Sequence, residues 1–202
     1  MWIYPEVVQS KTLYDGRRAS SDVAMHIDLS SNVVRYMTNN NARITGSSTL
    51  SVNSWHHISV ERASGSTKLY VNGIQEGSTY SDNNDLVAKL NRPTIGGEGV
   101  AFANSPFGGH LSNLRVVKGT ALYTGTFTPP QSELTVIDGT ILLACQDSTD
   151  PTKDATGQII DAYGQLASPD QFKILKHVPP FGVDAGNTFG GSIQQSSQGY
   201  MY

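Results

Sequence analysis

Residues 55–80 contain three short runs in which apolar and polar residues alternate, and tight-turn sequences separate them. The runs cover residues 55–62, 68–71 and 74–80. The second turn is Asn72-Gly73, the dipeptide most typical of a type I′ hairpin, because that turn needs positive φ at both central residues. A period of two places successive side chains on opposite faces of a strand. The segment is therefore predicted to be an antiparallel meander with one buried face.

The same pattern recurs along most of the chain, and helical periodicity is almost absent. Residues 23–28, 32–37 and 110–117 alternate, whereas residues 139–144 form a nearly continuous apolar run that predicts a strand buried on both faces. Together these features predict an all-β, two-sheet antiparallel jelly-roll sandwich. The side chains expected to point inward are Ile58, Val60, Leu69, Val71, Leu114, Val116, Ile141 and Leu143.

Composition excludes several classes of function. Charged residues make up 15% of the chain and the net charge is −3, with no basic run for a phosphate backbone to bind, so nucleic acid is not an expected partner. No apolar stretch approaches the roughly 20 residues of a membrane helix, so membrane insertion is not expected. The single cysteine, Cys145, allows neither an intrachain disulfide nor a cysteine-based zinc site, and its apolar neighbours predict a buried side chain.

The alternating pattern degrades near the C-terminal end. Residues 166–202 are rich in Gly, Ser and Gln and are expected to be a non-globular, extended arm or linker, which leaves residues 1–165 as the folded sandwich. The opening residues 1–5 read as a strand, so we expect the chain to be part of a larger polypeptide. Contacts with other chains are expected from the arm and from the sheet edge near residues 1–5.

Two parts of the chain resemble a known family. Residues 55–62 and 68–73 resemble the central hairpin of laminin-G-like domains, and residues 93–97 resemble the short strand that precedes the closing loop of that family. Residues 111–123 and 127–130 are similar to a variant found in bacteriophage structural proteins and large bacterial surface proteins. The resemblance covers about residues 1–165 and implies a concanavalin A-like jelly roll whose opening strand is missing.

The resemblance implies a function in binding and structure. It suggests a non-catalytic module of a bacteriophage virion protein, either a tail fibre or a capsid decoration. Such a module would present a glycan-binding face to the host. The location would be the virion, and the partners would be other virion subunits or copies of the chain itself. The alternative is a carbohydrate-binding lectin domain of a bacterial surface or secreted protein.

Candidate site residues lie on the predicted meander. A retaining glycosidase needs two carboxylates about 5–5.5 Å apart, and the glutamates of this chain are isolated from other acids, so no enzyme activity is expected. His57 and Glu61 share one strand face, near Tyr70 of the next strand, whereas His56 points to the core side. This face is either an ordinary polar surface or a glycan platform. Trp55 is either a core anchor or a sugar-stacking ring.

No cofactor is expected, and calcium is the one alternative to weigh. Many laminin-G relatives use calcium, and the best local cluster of oxygen ligands is Asp147, Asp150 and Asp154. Their spacing is not that of an EF-hand loop, and a solvated acidic turn explains them equally. In the phage-like variant an acidic pair is common where this chain has Ser112-Asn113, which weakens any cation role carried over from the resemblance.

Overall fold

The chain forms a two-layer sandwich of antiparallel strands. The computed structural model describes residues 1–17, 22–86, 93–98, 106–147, 150, 152–163, 187–188 and 192–195, and these contain fifteen strands and no helix. In chain order the strands are β1 (Trp2–Pro5), β2 (Thr12–Asp15), β3 (His26–Ser30), β4 (Val33–Thr38), β5 (Asn41–Thr49), β6 (His56–Ala63), β7 (Ser66–Val71), β8 (Ile74–Ser81), β9 (Thr94–Ile95), β10 (Gly109–Ser112), β11 (Leu114–Val117), β12 (Thr140–Ala144), β13 (Ile160–Tyr163), β14 (Asn187–Thr188) and β15 (Ser192–Gln195).

Two large sheets enclose the core. The six-stranded sheet has the order β14-β10-β1-β6-β7-β8, and the seven-stranded sheet has the order β13-β15-β9-β2-β3-β4-β5. Strands β11 and β12 form a separate pair that directly follows β10 in the chain. Every described pairing is antiparallel, so the predicted all-β, two-sheet sandwich is confirmed. No helix among the described residues is long and apolar enough to cross a membrane.

The predicted meander forms β6, β7 and β8, and its inward residues pack as the alternation indicates. Ile58, Leu69 and Val71 are at most 5% exposed, and Val60 packs against the same core while partly buried. Leu114 is also buried in the core, and Val116 packs against it from β11. Burial of these side chains on one strand face stabilises the sheet by roughly 1.5–3 kcal/mol for each fully buried aliphatic residue.

The prediction that Ile141 and Leu143 of β12 point inward is wrong, and only the second half of the strand is buried on both faces. Ile141 is 42% exposed, whereas Leu142 and Ala144 lie in the core cluster. Ile141 and Leu143 therefore point away from the core, on the opposite face of the strand. Leu143 is nevertheless buried, and its amide donates a hydrogen bond to Asp154 Oδ1 of the following loop at 2.6 Å. Residues 139–144 are almost all apolar, so their sequence does not show which side chains of β12 face the core and which face the other side.

The C-terminal stretch contributes two short strands to the described structure. Strand β14 pairs with β10, and β15 pairs with both β9 and β13. The rest of the predicted arm, residues 166–202, lies outside the described residues. Its extended character and its contacts with other chains remain predictions.

The buried Val71 of β7 and the exposed Ile141 of β12 give a matched pair of variants. Val71→Asp buries an unpaired charge in the core, so it is expected to abolish soluble folding. Ile141→Asp places the same charge on an exposed position, so the protein is expected to stay soluble with a nearly unchanged thermal midpoint. Soluble yield and melting by circular dichroism measure both effects. A stable Val71→Asp protein would overturn the assignment of the core face.

The hairpin between β7 and β8 has the predicted type I′ geometry, with φ of 50° at Asn72 and 83° at Gly73. A Cβ added at Gly73 would also collide with the carbonyl oxygen of Phe127. Gly73→Val is therefore expected to lower the free energy of unfolding by more than about 1 kcal/mol. Gly119→Val is the control, because Gly119 has φ of 97° but nothing within 4 Å of an added Cβ. Equal losses in the two variants, measured by urea denaturation, would show that the contact with Phe127 contributes nothing.

Candidate functional site

The outer face of the six-stranded sheet is covered by the segment of residues 118–130, hereafter the cover segment. The Phe127 ring lies edge-on to His57 and to Tyr70, with ring centroids 5.6 and 5.5 Å apart. Tyr123 stacks on Phe127 at 3.6 Å, with the ring planes 4° apart. Trp2 meets His57 from the other side at 5.2 Å. These five rings form one packed aromatic cluster between the sheet and the cover segment.

Hydrogen bonds from both adjacent strands hold the cover segment in place. Glu61 Oε2 accepts a hydrogen bond from the Leu122 amide at 2.7 Å, while Glu61 Oε1 accepts one from the Ser59 hydroxyl at 2.6 Å. Lys68 Nζ donates to the Thr124 carbonyl at 3.0 Å. The Phe127 amide donates to the Gly73 carbonyl, also at 3.0 Å. The charged groups of β6 and β7 are thus used to bind backbone of the same chain.

The cover segment decides what the three predicted glycan residues can do. His57 is 3% exposed and Tyr70 is fully buried, so the expectation that they lie on an open strand face is wrong. Glu61 is partly buried and its carboxylate is occupied by the cover segment. The three residues are neighbours, as the sequence predicts, but the rings of His57 and Tyr70 are both buried. A sugar-binding role for them stays a prediction that requires the cover segment to move away.

The environment of His57 keeps its imidazole uncharged. Burial among the aromatic rings, assisted by the positive charge of the N-terminus, lowers the pKa of His57 to about 2. Its Nδ1 atom has no hydrogen-bond partner among the described residues. His57 is therefore a neutral residue at neutral pH, packed among the rings of the aromatic cluster.

The acidic residues of the predicted calcium cluster have separate partners. Asp147 pairs with Lys153 at 2.8 Å, and Asp150 Oδ1 accepts a hydrogen bond from the Thr152 amide at 3.0 Å. Asp154 accepts bonds from the amides of Leu143 and Gln158, at 2.6 and 3.0 Å, and so fixes its loop to β12. Among the described residues, no group of three His, Cys, Asp or Glu side chains could hold a metal ion. The expectation that the chain needs no calcium stays a prediction.

Trp55 lies in a second, partly exposed group of rings on the six-stranded sheet, hereafter the aromatic patch. It packs against Tyr4 and His110, with ring centroids 5.5 and 6.4 Å apart. Glu6 Oε1 lies 3.1 Å from His110 Nε2, and the Glu6 side chain is 38% exposed. Tyr4 and Trp55 are partly buried, so each has both a packing role and an accessible edge. Both interpretations of Trp55 therefore remain open.

The opposite sheet carries a concentration of charged side chains that the sequence did not single out. The register pairs Asp15 with His26 and with Thr94, and it pairs Asp28 with Thr12 and with Arg35. Residues paired directly across strands share a sheet face. The neighbours Tyr14, Ile27, Leu29, Val34, Tyr36 and Ile95 all belong to the core cluster. The residues that face outward, with two from the adjoining loops, form what we call the polar face: Thr12, Asp15, Arg17, His26, Asp28, Arg35, Thr94 and Glu98.

A buried ion pair lies at the base of the polar face. Arg17 Nε and Nη2 bind the two carboxylate oxygens of Asp15 at 2.8 and 2.9 Å, and neither residue is more than 2% exposed. Arg17 Nη2 also reaches Glu98 Oε1 at 3.2 Å, and the Glu98 side chain is 33% exposed. Removing two charges from water costs several kcal/mol for each ion, and a close pair only partly offsets that cost. A buried charge network of this kind marks a candidate binding site.

A second ion pair brings the polar face to the surface. Arg35 Nε and Nη2 bind the two oxygens of Asp28 at 2.8 and 2.5 Å. The side chain of Arg35 is 28% exposed and that of Asp28 is 10% exposed. Because both ends of the pair are fixed by two parallel hydrogen bonds, the donors and acceptors that remain free point in defined directions. This pair and Glu98 are the accessible part of the polar face.

His26 lies between the two ion pairs. Its Nε2 is 3.3 Å from the Thr12 hydroxyl, while its Nδ1 is buried and has no hydrogen-bond partner among the described residues. Burial lowers the pKa of His26, and the neighbouring charges of Asp15 and Arg17 act in opposite directions. The imidazole is therefore neutral and keeps one nitrogen unpaired within a polar surrounding, which is an unusual state for a buried polar atom.

Comparison with known proteins agrees with this architecture. A laminin-G family model, described as "Concanavalin A-like lectin/glucanases superfamily", matches residues 1–122. One solved structure, from Bacteroides ovatus and described as a "putative carbohydrate binding protein", is 18% identical with a TM-score of 0.51. The match covers 96% of this chain and 51% of the solved one, so the chain spans about half the length of that protein. No curated protein matches the chain. At this identity the structural likeness shows the fold alone.

The burial of His57 predicts a pH dependence of stability. Its pKa is about 2 in the folded chain and 6.5 in the unfolded one, so the unfolded chain binds a proton that the folded chain does not. The contribution of His57 is therefore complete above pH 6.5 and falls by about 1.4 kcal/mol per pH unit below it. The His57→Phe variant should lack the part of the pH dependence that comes from His57. The part that comes from His26, whose pKa burial also lowers, should be the same in both proteins. Chemical denaturation between pH 5 and pH 8 measures it, and equal slopes in the two proteins would contradict the assignment.

Proposed function

The chain belongs to the concanavalin A-like lectin/glucanase superfamily, and from this starting point we propose that it is a non-catalytic module that binds carbohydrate at the polar face. The observation that carries the proposal is the partly exposed Asp28–Arg35 pair, together with the partly exposed carboxylate of Glu98 on the same polar face. Binding sites of soluble proteins combine a few fixed polar groups with a surface that is already formed before the ligand arrives.

The chemistry of the polar face suits sugar hydroxyls. A hydroxyl both donates and accepts hydrogen bonds, so neighbouring hydroxyls match a carboxylate placed next to a guanidinium. The Asp28–Arg35 pair supplies both groups at fixed positions, and the Asp15–Arg17 pair supports the face from below. Ordering these side chains in advance reduces the entropy that a ligand would otherwise lose on binding.

The same contacts argue against glycoside hydrolysis. A glycosidase needs one carboxyl group that donates a proton and a second that acts as nucleophile or base. Asp15 and Asp28 each accept two hydrogen bonds from an arginine, so both oxygens of each carboxylate are already bound within the chain. Glu98 is also bound by Arg17. We therefore propose binding without catalysis, and without a calcium requirement.

For the biological setting we propose a bacteriophage virion protein, in which other subunits or copies of the chain are the partners. The support is the resemblance of residues 111–123 and 127–130 to phage structural proteins, in the part of the chain that includes most of the cover segment. The alternative setting is a bacterial surface or secreted lectin. The Bacteroides ovatus relative, described as a "putative carbohydrate binding protein", favours that alternative.

A glycan array tests the proposal directly. The protein of residues 1–202 is expected to bind a subset of glycans equally well in chelator and in millimolar calcium. Arg35→Ala should weaken that binding by about 10- to 100-fold, because hydrogen bonds to charged groups contribute about 1.5–3 kcal/mol. Arg35→Lys should restore part of it, since the charge remains without the bidentate geometry.

Trp55→Ala is the matched control on the opposite sheet. It removes the accessible ring of the aromatic patch and should leave glycan binding unchanged, provided that thermal melting shows both variants to be folded. Loss of binding in Trp55→Ala with full binding in Arg35→Ala would move the site to the aromatic patch. Absence of binding to any glycan would contradict the proposed function.

A further inference from the structure

The aromatic patch brings rings from three neighbouring places together on the outer face of the six-stranded sheet. Tyr4 lies directly opposite His110 in the pairing of β1 with β10. On the other side of β1, the core residue Ile3 lies opposite His56 of β6. Trp55 precedes β6, so the antiparallel register places it next to Tyr4. Three adjacent positions across the sheet therefore carry rings that face away from the core.

The two outer rings of this row lean toward each other. Positions two strands apart in a sheet are separated by about 9.5 Å, since neighbouring strands lie about 4.8 Å apart. The ring centroids of Trp55 and His110 are only 6.4 Å apart, and each lies within 5.5 Å of the Tyr4 centroid. The ring planes are tilted by 42° to 60° relative to one another. The aromatic patch is therefore a cluster of inclined ring faces rather than a flat strip.

The carboxylate of Glu6 adds a negative charge to the rings. Its Oε1 lies 3.1 Å from His110 Nε2, while the Glu6 side chain is 38% exposed. The Glu6 amide donates to the Gly108 carbonyl at 3.1 Å, which fixes the backbone of this residue beside β10. The face of an aromatic ring also carries a negative potential, because of its π electrons. Ring faces and a carboxylate attract a cation together, so their combination favours a cationic ligand.

Exposed apolar side chains follow the carboxylate in the chain. Val7 and Val8 are 55% and 68% exposed, on a loop that the buried Gln9 holds in place. The Gln9 side-chain amide donates to the Gly108 carbonyl at 2.7 Å and accepts from the Gly108 amide at 2.8 Å. A bare ammonium has three donors that need acceptors, and ring faces and valine side chains supply none. A quaternary ammonium has no donors, and its methyl groups suit apolar surroundings.

We propose that the aromatic patch binds a quaternary ammonium group, with Tyr4 and Trp55 as the ring faces and Glu6 as the opposite charge. A ring attracts a cation that lies within about 6 Å of its centroid, and the centroids of Tyr4 and Trp55 are 5.5 Å apart, so one cation can meet this condition for both. The group would be carried on a neutral stem, because Glu6 would repel an adjacent phosphate. The site goes beyond glycan binding, since it has a different ligand and lies on the opposite sheet from the polar face.

The two tryptophans of the chain give an NMR test with an internal control. Trp55 belongs to the aromatic patch, whereas Trp2 is 7% exposed and packs against His57. Titration of residues 1–202 with choline chloride, against sodium chloride at equal ionic strength, should shift the indole N–H resonance of Trp55 and leave that of Trp2 unchanged. The expected dissociation constant is on the order of 1 mM.

Two further probes separate charge from shape. The alcohol 3,3-dimethylbutan-1-ol has the shape of choline without its charge, so it should bind at least about fivefold more weakly. Phosphocholine keeps the quaternary ammonium but adds a phosphate. It should bind at least about threefold more weakly than choline, because the phosphate would lie near the Glu6 carboxylate. This comparison also distinguishes a phosphorylated headgroup from a neutral source of the same group.

Matched variants assign the effect to the patch. Glu6→Gln should weaken choline binding at least about threefold and leave the binding of the uncharged alcohol unchanged. Glu133→Gln removes the same charge from an exposed position outside the patch and should change neither. Tyr4→Leu removes one ring face and should weaken choline binding more than binding of the alcohol, as read from the same Trp55 resonance. Thermal melting shows whether each variant is folded.

Four results would overturn the proposal. They are a Trp55 resonance that responds to choline no more than to sodium chloride, equal affinity for choline and the uncharged alcohol, equal effects of Glu6→Gln and Glu133→Gln, and tighter binding of phosphocholine than of choline. None of these results depends on the Asp28–Arg35 pair, so failure of this site and failure of glycan binding at the polar face can be told apart.

Discussion

The carboxylate of Glu61 binds backbone amides at the start of the cover segment, and the accessible surface of the molecule depends on that contact. Hydrogen bonds to a charged acceptor contribute roughly 1.5–3 kcal/mol each, more than a neutral pair. They hold Tyr123 and Phe127 over His57 and Tyr70, where each packed pair of rings adds roughly 0.5–1.5 kcal/mol beyond the area it buries. The outer face of the six-stranded sheet is closed over most of this region as a result. The polar face and the aromatic patch, by contrast, keep partly exposed side chains.

Local patterns in the sequence were sufficient to predict the central meander. Alternation over residues 55–80 and the Asn72-Gly73 turn act between neighbouring residues, so strands β6, β7 and β8 could be read without knowing the rest of the fold. The cover segment could not, because Glu61 and Leu122 are far apart in the chain and no pattern links them. His57, Glu61 and Tyr70 lie on one strand face, as the alternation predicts, but the sequence contains no sign that another segment covers that face.

The polar face was missed for a different physical reason. A register irregularity between Thr12 and Tyr14 places Thr12 and Asp15 on the same face, although strict alternation would separate residues three apart. Asp28 and Arg35 meet because the β3–β4 hairpin pairs them, which depends on the turn between the strands. The usable signal was the alternation of His26 and Asp28 with the core residues Ile27 and Leu29. It indicated a charged outer face, but it did not reveal which strands would complete it.

We propose that this module binds its ligand at the polar face of the seven-stranded sheet. The most direct test is an NMR titration of the isotope-labelled protein with a bound glycan, in which backbone amide shifts are mapped on the structure. Binding at the polar face predicts that the largest changes occur at Asp28, Arg35 and Glu98, while β6 and β7 stay unperturbed beneath the cover segment. Changes concentrated at Trp55 and Tyr4, or at His57 and Tyr70, would contradict it.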